Sequence, residues 1–238
     1  PLCWGADGWP QIGQRLNDTG KGQPVSLHRL PALPVAPCCL QTSDDFRHGQ
    51  PGVQWQWQAN PQRHWLTPHQ QGLRLRCALT SGDISLYRLP QLLLQKFPAE
   101  RFDVQTAVDP MFSQDGDEAG IAIYGQRFAA LCVTYRAANL QLALCHGWID
   151  DRGETHQQSI GLEEVSGCKE IELGFQVDYD GVVHFRYRLA QREWRQVTPQ
   201  FSAGAGKWIG ARMGIYARGE RENVKGSAIF SPFIVRLQ

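Results

Sequence analysis

The feature that most constrains this chain is a succession of short segments in which apolar and polar residues alternate. Leu73–Cys77 and Val182–Leu189 are clear examples, and alternation at a period of two places the apolar residues on one face of a β-strand. Asp180 and Gly181 precede the second segment, and an Asp-Gly pair favours the tight turn of a β-hairpin. About a dozen such segments, and no helix longer than ~10 residues, predict an all-β protein.

The strand-rich region begins at residue 43 and extends to residue 238. Its length and its frequent turn residues favour two packed antiparallel sheets, that is, a β-sandwich. No repeat of fixed period occurs there, which argues against a propeller or a solenoid. We expect strands at 53–58, where Trp55 and Trp57 alternate with glutamine, and at 228–237.

The first 42 residues differ in character from the rest. Residues 1–25 are rich in glycine and lack apolar periodicity, which is typical of turns around exposed aromatic side chains. Residues 26–42 contain Pro31, Pro34 and Pro37, and proline fixes φ and has no N–H, so this stretch is expected to be an extended, semi-rigid connector. This change in character predicts a domain boundary near residue 40.

Composition excludes several functional classes. The chain has 24 basic and 23 acidic residues and a formal net charge of +1, so it lacks the basic excess of a nucleic-acid-binding protein. Hydrophobic residues make up 42%, which is too many for a disordered chain. No apolar run approaches the ~20 residues of a membrane-spanning helix. We therefore expect neither nucleic acid nor membrane as a partner.

The seven cysteines are odd in number and include no C-x-x-C pair, so neither a zinc site nor a redox motif is indicated. Cys132 and Cys145 lie inside apolar segments, and we expect such cysteines to be free core residues. Free thiols are typical of a reducing compartment, so we expect a bacterial cytoplasmic protein. A signal peptide upstream of Pro1 stays an alternative.

Carboxylates cluster in three places, namely Asp44 and Asp45; Asp115, Asp117 and Glu118; and Asp150, Asp151 and Glu154. Paired carboxylates serve as acid and base in glycoside hydrolysis, but aspartate in turn sequences commonly bonds to its own backbone. We therefore predict no catalytic residue and no metal site. A calcium-ligand role for Asp44, Asp45 or Asp115 stays open, because calcium prefers several oxygen ligands.

Tryptophan is the residue type in this region that best suits ligand binding. Six tryptophans fall in the strand-rich region, namely Trp55, Trp57, Trp65, Trp148, Trp194 and Trp208. An exposed indole can stack on the face of a sugar, whereas an indole on the apolar face of a strand belongs to the core. Trp55 and Trp57 share a face, which favours burial of both. From its residues alone, the chain is a sandwich with aromatic ligand candidates and no recognisable catalytic machinery.

An ordered set of segments resembles the C-terminal domain of family 43 glycoside hydrolases of the β-xylosidase type. The segments are Ser43–Phe46, Trp55–Pro61, Leu92–Ala99, Gly116–Ile121, Phe185–Tyr187 with Trp194, and Gly206–Ala211. The resemblance implies a concanavalin A-like jelly roll as the form of the sandwich.

The N-terminus resembles another part of the same family. Trp4–Gly13 and Gly22–Val25 are similar to the closing segment of the five-bladed catalytic propeller that precedes this sandwich. The resemblance implies that residues 1–25 are residual propeller, 26–42 a linker and 43–238 the sandwich. It also implies three catalytic acids upstream, acting by inversion, so that no Asp or Glu here is catalytic and the fragment alone is inactive. The complete enzyme would be a β-xylosidase or α-L-arabinofuranosidase that takes xylo-oligosaccharides or arabinosides.

The resemblance further implies that the sandwich packs on the propeller of the same polypeptide, and that one of its loops helps to wall the sugar pocket. The segment from Trp208 to Glu220 is our candidate for that loop. The candidate carbohydrate or pocket-wall residues are Trp57, Trp65, Trp208 and Arg212.

Two further points bear on this interpretation. Relatives often have A-D-F-D-x-F near the end of the domain, whereas Ala228–Phe233 lacks both aspartates, which argues against calcium there. The alternatives are an independent carbohydrate-binding module for xylan or a related plant polysaccharide, and a structural domain that forms homo-oligomers. An exposed apolar docking patch would favour the accessory domain, and a groove lined by exposed tryptophan would favour the binding module.

Overall fold

The computed structural model describes residues 2–16, 21–29, 40–47, 49–78, 85–168, 170–220 and 225–238. The chain divides into two compact units, residues 1–39 and 40–238. The division lies within the predicted connector at 26–42, most of which, with Cys38 and Cys39, lies outside the described residues.

The N-terminal unit contains two short antiparallel hairpins. Strand β1 (Leu2–Trp4) pairs with β2 (Pro10–Ile12), and β3 (Gln14–Leu16) pairs with β4 (Lys21–Gln23). Every residue of these four strands is exposed, and so is the large side chain of Trp9 in the first turn. Isolated two-stranded sheets are marginally stable in water, and the four strands described here supply no buried core of their own.

The second unit contains sixteen strands among its described residues. They are β5 (Gln56–Trp57), β6 (Leu66–His69), β7 (Gly72–Arg76), β8 (Leu93–Lys96), β9 (Phe102–Met111), β10 (Glu118–Tyr124), β11 (Arg127–Arg136), β12 (Asn139–Ile149), β13 (Thr155–Glu164), β14 (Ile171–Val177), β15 (Val182–Leu189), β16 (Arg195–Gln196), β17 (Phe201–Ser202), β18 (Arg212–Arg218), β19 (Ser227–Phe230) and β20 (Ile234–Leu237).

These strands form two antiparallel sheets that confirm the predicted sandwich. Sheet I has the order β13-β12-β11-β10-β18-β8-β5. Sheet II has the order β16-β15-β14-β9-β19-β7-β6, with β17 paired to β15 and β20 paired to β9. Helical structure in the described ranges consists of short 3₁₀ turns, and none of the described helices has the length and apolar character needed to cross a membrane.

The core lies between the two sheets. Alternate residues of β10, such as Ile121 and Ile123, belong to one buried cluster with Leu173 and Phe175 of β14. This alternation is what the sequence pattern predicts, because successive side chains of a strand point to opposite faces.

Sheet I is buried on its outer face as well. Ala122, Cys132, Cys145 and Tyr216 point away from sheet II and form a second buried cluster, which includes Leu86 from the segment that precedes β8. The two cysteines are free, as predicted, and burial raises the pKa of the Cys145 thiol to about 12. Every residue of β10 is consequently buried.

The hairpin predicted at Asp180 and Gly181 is confirmed. It joins β14 to β15, and both turn residues have positive φ, 61° for Asp180 and 73° for Gly181. Positive φ at both central residues is the requirement of the turn that matches the twist of paired strands.

Two predicted strands were wrong in their extent. Residues 53–58 form only the two-residue strand β5, because the Trp55 N–H donates to the Gly52 carbonyl in a turn. Residues 228–237 form two strands separated by a β-bulge. Phe230 pairs with Val108 and Ile234 with Gln105, so the three residues 231–233 oppose the two residues 106–107. Pro232, in the middle of the three, has no N–H to donate to the sheet.

A buried ion pair lies on the outer face of sheet I. The Glu118 carboxylate accepts hydrogen bonds from Tyr216 Oη at 2.7 Å and from Arg218 Nε at 3.0 Å. All three side chains are buried or nearly so. Removing one member of such a pair leaves the other charge uncompensated in a region of low dielectric constant.

We predict that Glu118→Gln lowers the free energy of unfolding by about 3 kcal/mol, because the Arg218 charge loses its carboxylate. Urea denaturation measures the change. The double variant Glu118→Met with Arg218→Met should be more stable than Glu118→Gln, since it leaves no buried charge. Equal stability of Glu118→Gln and the parent would show that the pair contributes nothing.

We predict that Gly181→Ala costs about 1 kcal/mol of stability, because a residue with a Cβ is strained at positive φ. The new Cβ would lie 3.6 Å from Ala203, an ordinary contact, so the cost is one of backbone conformation. Gly161→Ala is the control, since its Cβ would meet no atom within 4 Å and its φ is not positive. A loss of equal size in both variants of a denaturation series would contradict this explanation.

Candidate functional site

An exposed loop connects β17 in sheet II to β18 in sheet I. Its residues 203–211 are fixed at both ends, because the Gln126 N–H donates to the Ala205 carbonyl at 2.9 Å and the Phe97 N–H donates to the Ala211 carbonyl at 3.4 Å. Between these ties, Trp208 is 88% exposed and Ile209 is 40% exposed. We call residues 203–211 the Trp208 loop.

Glycine allows the Trp208 loop to lie against the sheet. A Cβ on Gly125, in the turn between β10 and β11, would come within 1.9 Å of the Gly204 carbonyl oxygen. The backbones therefore approach more closely than any side chain permits. The tip of the loop does not pack against the sheet in this way, and Trp208 is exposed there. The Lys207 ammonium lies 6.0 Å from the Trp208 ring centroid. A large indole left in water contributes little to folding, and its aromatic face is accessible to a ligand or a partner.

A hydrogen-bonded cluster lies where the Trp208 loop enters β18. The Arg212 guanidinium lies 4.7 Å from the Tyr124 ring centroid, and Arg212 Nη2 donates to Gln58 Oε1 at 2.6 Å. Gln58 Nε2 donates to Tyr124 Oη at 2.7 Å, and Tyr124 Oη donates to the Tyr87 carbonyl at 3.0 Å. The Tyr87 ring stacks on Tyr124 with centroids 5.4 Å apart. We call Gln58, Tyr87, Tyr124 and Arg212 the Arg212 cluster.

Burial opposes the charged forms of the titratable groups in the Arg212 cluster. Burial raises the pKa of Tyr124 to about 12, and its hydroxyl, which is neutral at physiological pH, donates a hydrogen bond. Burial also lowers the pKa of Arg212, but a guanidinium stays charged near neutral pH. The cluster therefore holds a fixed cation over a neutral aromatic ring.

The structure brings together two of the four sequence candidates. Trp208 lies in the loop at 203–211, and Arg212 is the first residue of β18, the strand that follows it. Trp57 and Trp65 instead pack on each other, with ring centroids 5.5 Å apart, and Trp57 contacts the inner core of the sandwich. Trp65 is only 5% exposed, so it presents no face on which a sugar can stack, and its role here is packing.

Sequence reasoning missed the partners of Arg212. Gln58 is 66 positions from Tyr124 and 154 from Arg212, so no local pattern connects them. The only signal was that Gln58 falls within the Trp55–Pro61 segment quoted for the family resemblance.

Two of the aspartates considered for catalysis or calcium binding, Asp44 and Asp45, are occupied by hydrogen bonds. The Asp44 carboxylate accepts from the Phe46 and Gly52 N–H groups and from Trp55 Nε1. Asp45 accepts from the Arg47 N–H. Each therefore stabilises a turn, which is the common use of aspartate in such sequences.

The other two clusters are also engaged in turns. Asp117 is buried and accepts from the Ser113 and Gln114 N–H groups. Asp150 accepts from two backbone N–H groups and contacts His156 at 2.9 Å, and the hydrogen bond from His156 holds the pKa of Asp150 below its usual value. Over the described ranges, no group of three or more His, Cys, Asp or Glu side chains is arranged to hold a metal ion.

Comparison with known proteins places the chain beside xylan-degrading enzymes. A Beta-xylosidase of Formosa agariphila is 24% identical over 94% of this chain and 40% of its own length. The solved xylan beta-1,4-xylosidase of Bacillus halodurans C-125 has a TM-score of 0.68 at 20% identity, over 99% of this chain and 46% of its own. A GH43 glycoside hydrolase engineered to show endo-xylanase and exo-arabinofuranosidase activity has a TM-score of 0.72 at 20% identity, over 100% of this chain and 48% of its own.

These likenesses extend over both units, and the chain spans about two-fifths of the length of the curated relative it matches. The two structural matches establish a shared fold. The family model of the beta xylosidase C-terminal concanavalin A-like domain matches residues 43–236, which is nearly the whole of the observed sandwich. The chain therefore belongs to the family of concanavalin A-like C-terminal domains of beta-xylosidases.

Proposed function

We propose that this chain is the non-catalytic C-terminal part of a family 43 glycoside hydrolase that cleaves β-xylosides or α-L-arabinosides. Its sandwich would pack on the catalytic propeller of the same polypeptide, and the Trp208 loop would form part of the wall of the sugar pocket. The observation that carries the proposal is an indole that is 88% exposed on a loop tied at both ends.

Four of the carboxylates in the clusters that the sequence offered are committed to structural contacts, which supports an accessory role. Inverting glycosidases need two carboxyl groups about 6.5–9.5 Å apart, with room for water between them. The carboxylates of Asp44, Asp117 and Asp150 instead accept backbone hydrogen bonds, and Glu118 is paired with Arg218. The catalytic acids would accordingly belong to the adjoining domain.

The Trp208 loop would act on substrate through binding and exclusion of water. An indole offers a flat apolar face to the C–H face of a sugar ring. Because the loop is tied to the sheet on both sides, little conformational freedom would be lost when the indole meets its ligand. Its contribution would be to position the substrate, while the propeller supplies the proton transfers.

An independent carbohydrate-binding module is less well supported. Such a module needs a platform or groove of exposed aromatic residues, and two of the candidate tryptophans are unsuited to it, since Trp65 is buried and Trp57 is half-buried. Trp208 alone of the four candidates presents an open aromatic face.

We predict that the chain 1–238 hydrolyses no nitrophenyl xyloside or arabinoside, whereas the complete polypeptide does. In the complete polypeptide, Trp208→Ala should lower kcat/KM by about tenfold, the loss expected for one aromatic contact. Trp194→Ala is the matched control. Its indole packs over Arg186 and Arg188 on the outer face of sheet II, so its loss should leave kcat/KM unchanged.

Three outcomes would contradict the proposal. Turnover by the chain 1–238 that disappears when one of its carboxylates is changed would place catalysis in this chain. Equal kcat/KM for Trp208→Ala and the parent would remove the loop from the pocket. Retention of the chain 1–238 by xylan in affinity electrophoresis, lost in Trp208→Ala, would favour the binding module.

A further inference from the structure

Two cations lie side by side at the end of sheet I. Arg212, the first residue of β18, is directly opposite Lys96, the last residue of β8. Residues that are directly opposite in an antiparallel pair project from the same face, and like charges in this position are destabilising. Tyr124 of β10 is opposite Arg212 on its other side and carries no charge to balance them.

Three other arginines on the strands of the two sheets are matched by carboxylates. Arg186 pairs with Asp103, Arg188 with Glu172 and Arg218 with Glu118. In the part of the chain that the structure describes, neither Arg212 nor Lys96 takes part in an ion pair. The described residues therefore place two neighbouring cations of sheet I side by side without a counter-ion.

The Arg212 guanidinium is also incompletely hydrogen-bonded. Nη2 donates to Gln58, whereas Nε is buried and has no partner. A guanidinium has five N–H donors in a planar fork that matches a carboxylate. Contact with the Tyr124 ring and the hydrogen bond to Gln58 fix the plane of this fork, so it is oriented before any acceptor arrives.

We propose that Arg212 and Lys96 together bind the carboxylate of an Asp or Glu side chain from the adjoining catalytic domain. This inference rests on the proposed function, in which the sandwich packs on that domain. A carboxylate would accept hydrogen bonds from the Nη groups of Arg212, since Nε is buried, and would neutralise the repulsion between the two cations.

The surroundings favour a protein carboxylate as the occupant. Arg212 follows directly on the Trp208 loop, whose Trp208 and Ile209 are exposed, so a positively charged residue and two exposed apolar residues adjoin in the chain. Exposed apolar residues next to polar ones are typical of surfaces that meet another protein. More than half of the length of the curated relative lies outside the region that this chain matches, which leaves a domain of ample size to supply the carboxylate.

The test compares Arg212→Met in two settings, the chain 1–238 and the complete polypeptide. In the chain 1–238 the variant should be as stable as the parent or more stable, because it removes a half-buried charge without a counter-ion. In the complete polypeptide it should lower the melting temperature of the sandwich by roughly 4 °C, because it leaves the partner carboxylate unpaired. Lys96→Met should act in the same direction to a smaller extent, since Lys96 is exposed.

Arg195→Met is the control, because Arg195 pairs with Glu163 within this chain and should have the same small effect in both settings. Equal destabilisation by Arg212→Met in both settings would assign Arg212 to the fold of the sandwich and overturn the inference. Binding of glucuronate to both parent proteins, lost in Arg212→Met, would identify a sugar carboxylate as the occupant and would also overturn it.

The two proposals fail in distinguishable ways. If Trp208→Ala lowers kcat/KM but Arg212→Met acts equally in both settings, the accessory function stands and the carboxylate contact does not. If the sandwich melts at the same temperature in both settings and Trp208→Ala is without effect, packing on the catalytic domain fails, and the inference fails with it.

Discussion

Burial of both faces of the central strands of sheet I is the constraint on which the rest of the structure depends. Their inner face packs against sheet II, and Leu86, Leu89 and Leu92 belong to the buried cluster on their outer face. A polar side chain buried on either face is stable only with a partner within the protein. The Glu118 ion pair with Arg218 and the hydrogen bond between Gln58 and Tyr124 meet that requirement.

The candidate site lies where this cover ends. Tyr124 is buried, and Arg212, its neighbour across the strands, is half-buried. The Trp208 loop begins in sheet II and enters sheet I at Arg212, so its position depends on both sheets. A ligand or partner at this end would meet side chains that are already held in place.

Local features of the fold could be predicted from the sequence, and long-range contacts could not. The alternation in β10 and β15 and the Asp180–Gly181 turn depend on neighbouring residues, so the strands and the hairpin follow from pattern alone. The length of β5 and the bulge after Phe230 depend on pairing with distant strands, and those expectations were wrong. The candidate site was predictable only in part, for the same reason. Trp208 lies in a segment that resembles a known family, and Arg212 lies only in the adjoining candidate loop from Trp208 to Glu220. The Gln58–Tyr124–Arg212 contacts join three separate elements that no spacing in the sequence reports.

The way the Trp208 loop is attached has a consequence for how this domain can diverge. Its ends are held by backbone hydrogen bonds at Ala205 and Ala211, which do not depend on the side chains between them. Residues at the tip, such as Lys207, Trp208 and Ile209, can therefore be exchanged at little cost to the stability of the sandwich. Selection on the proposed sugar contact can then act on three adjacent codons, while the two sheets that carry the loop stay as they are.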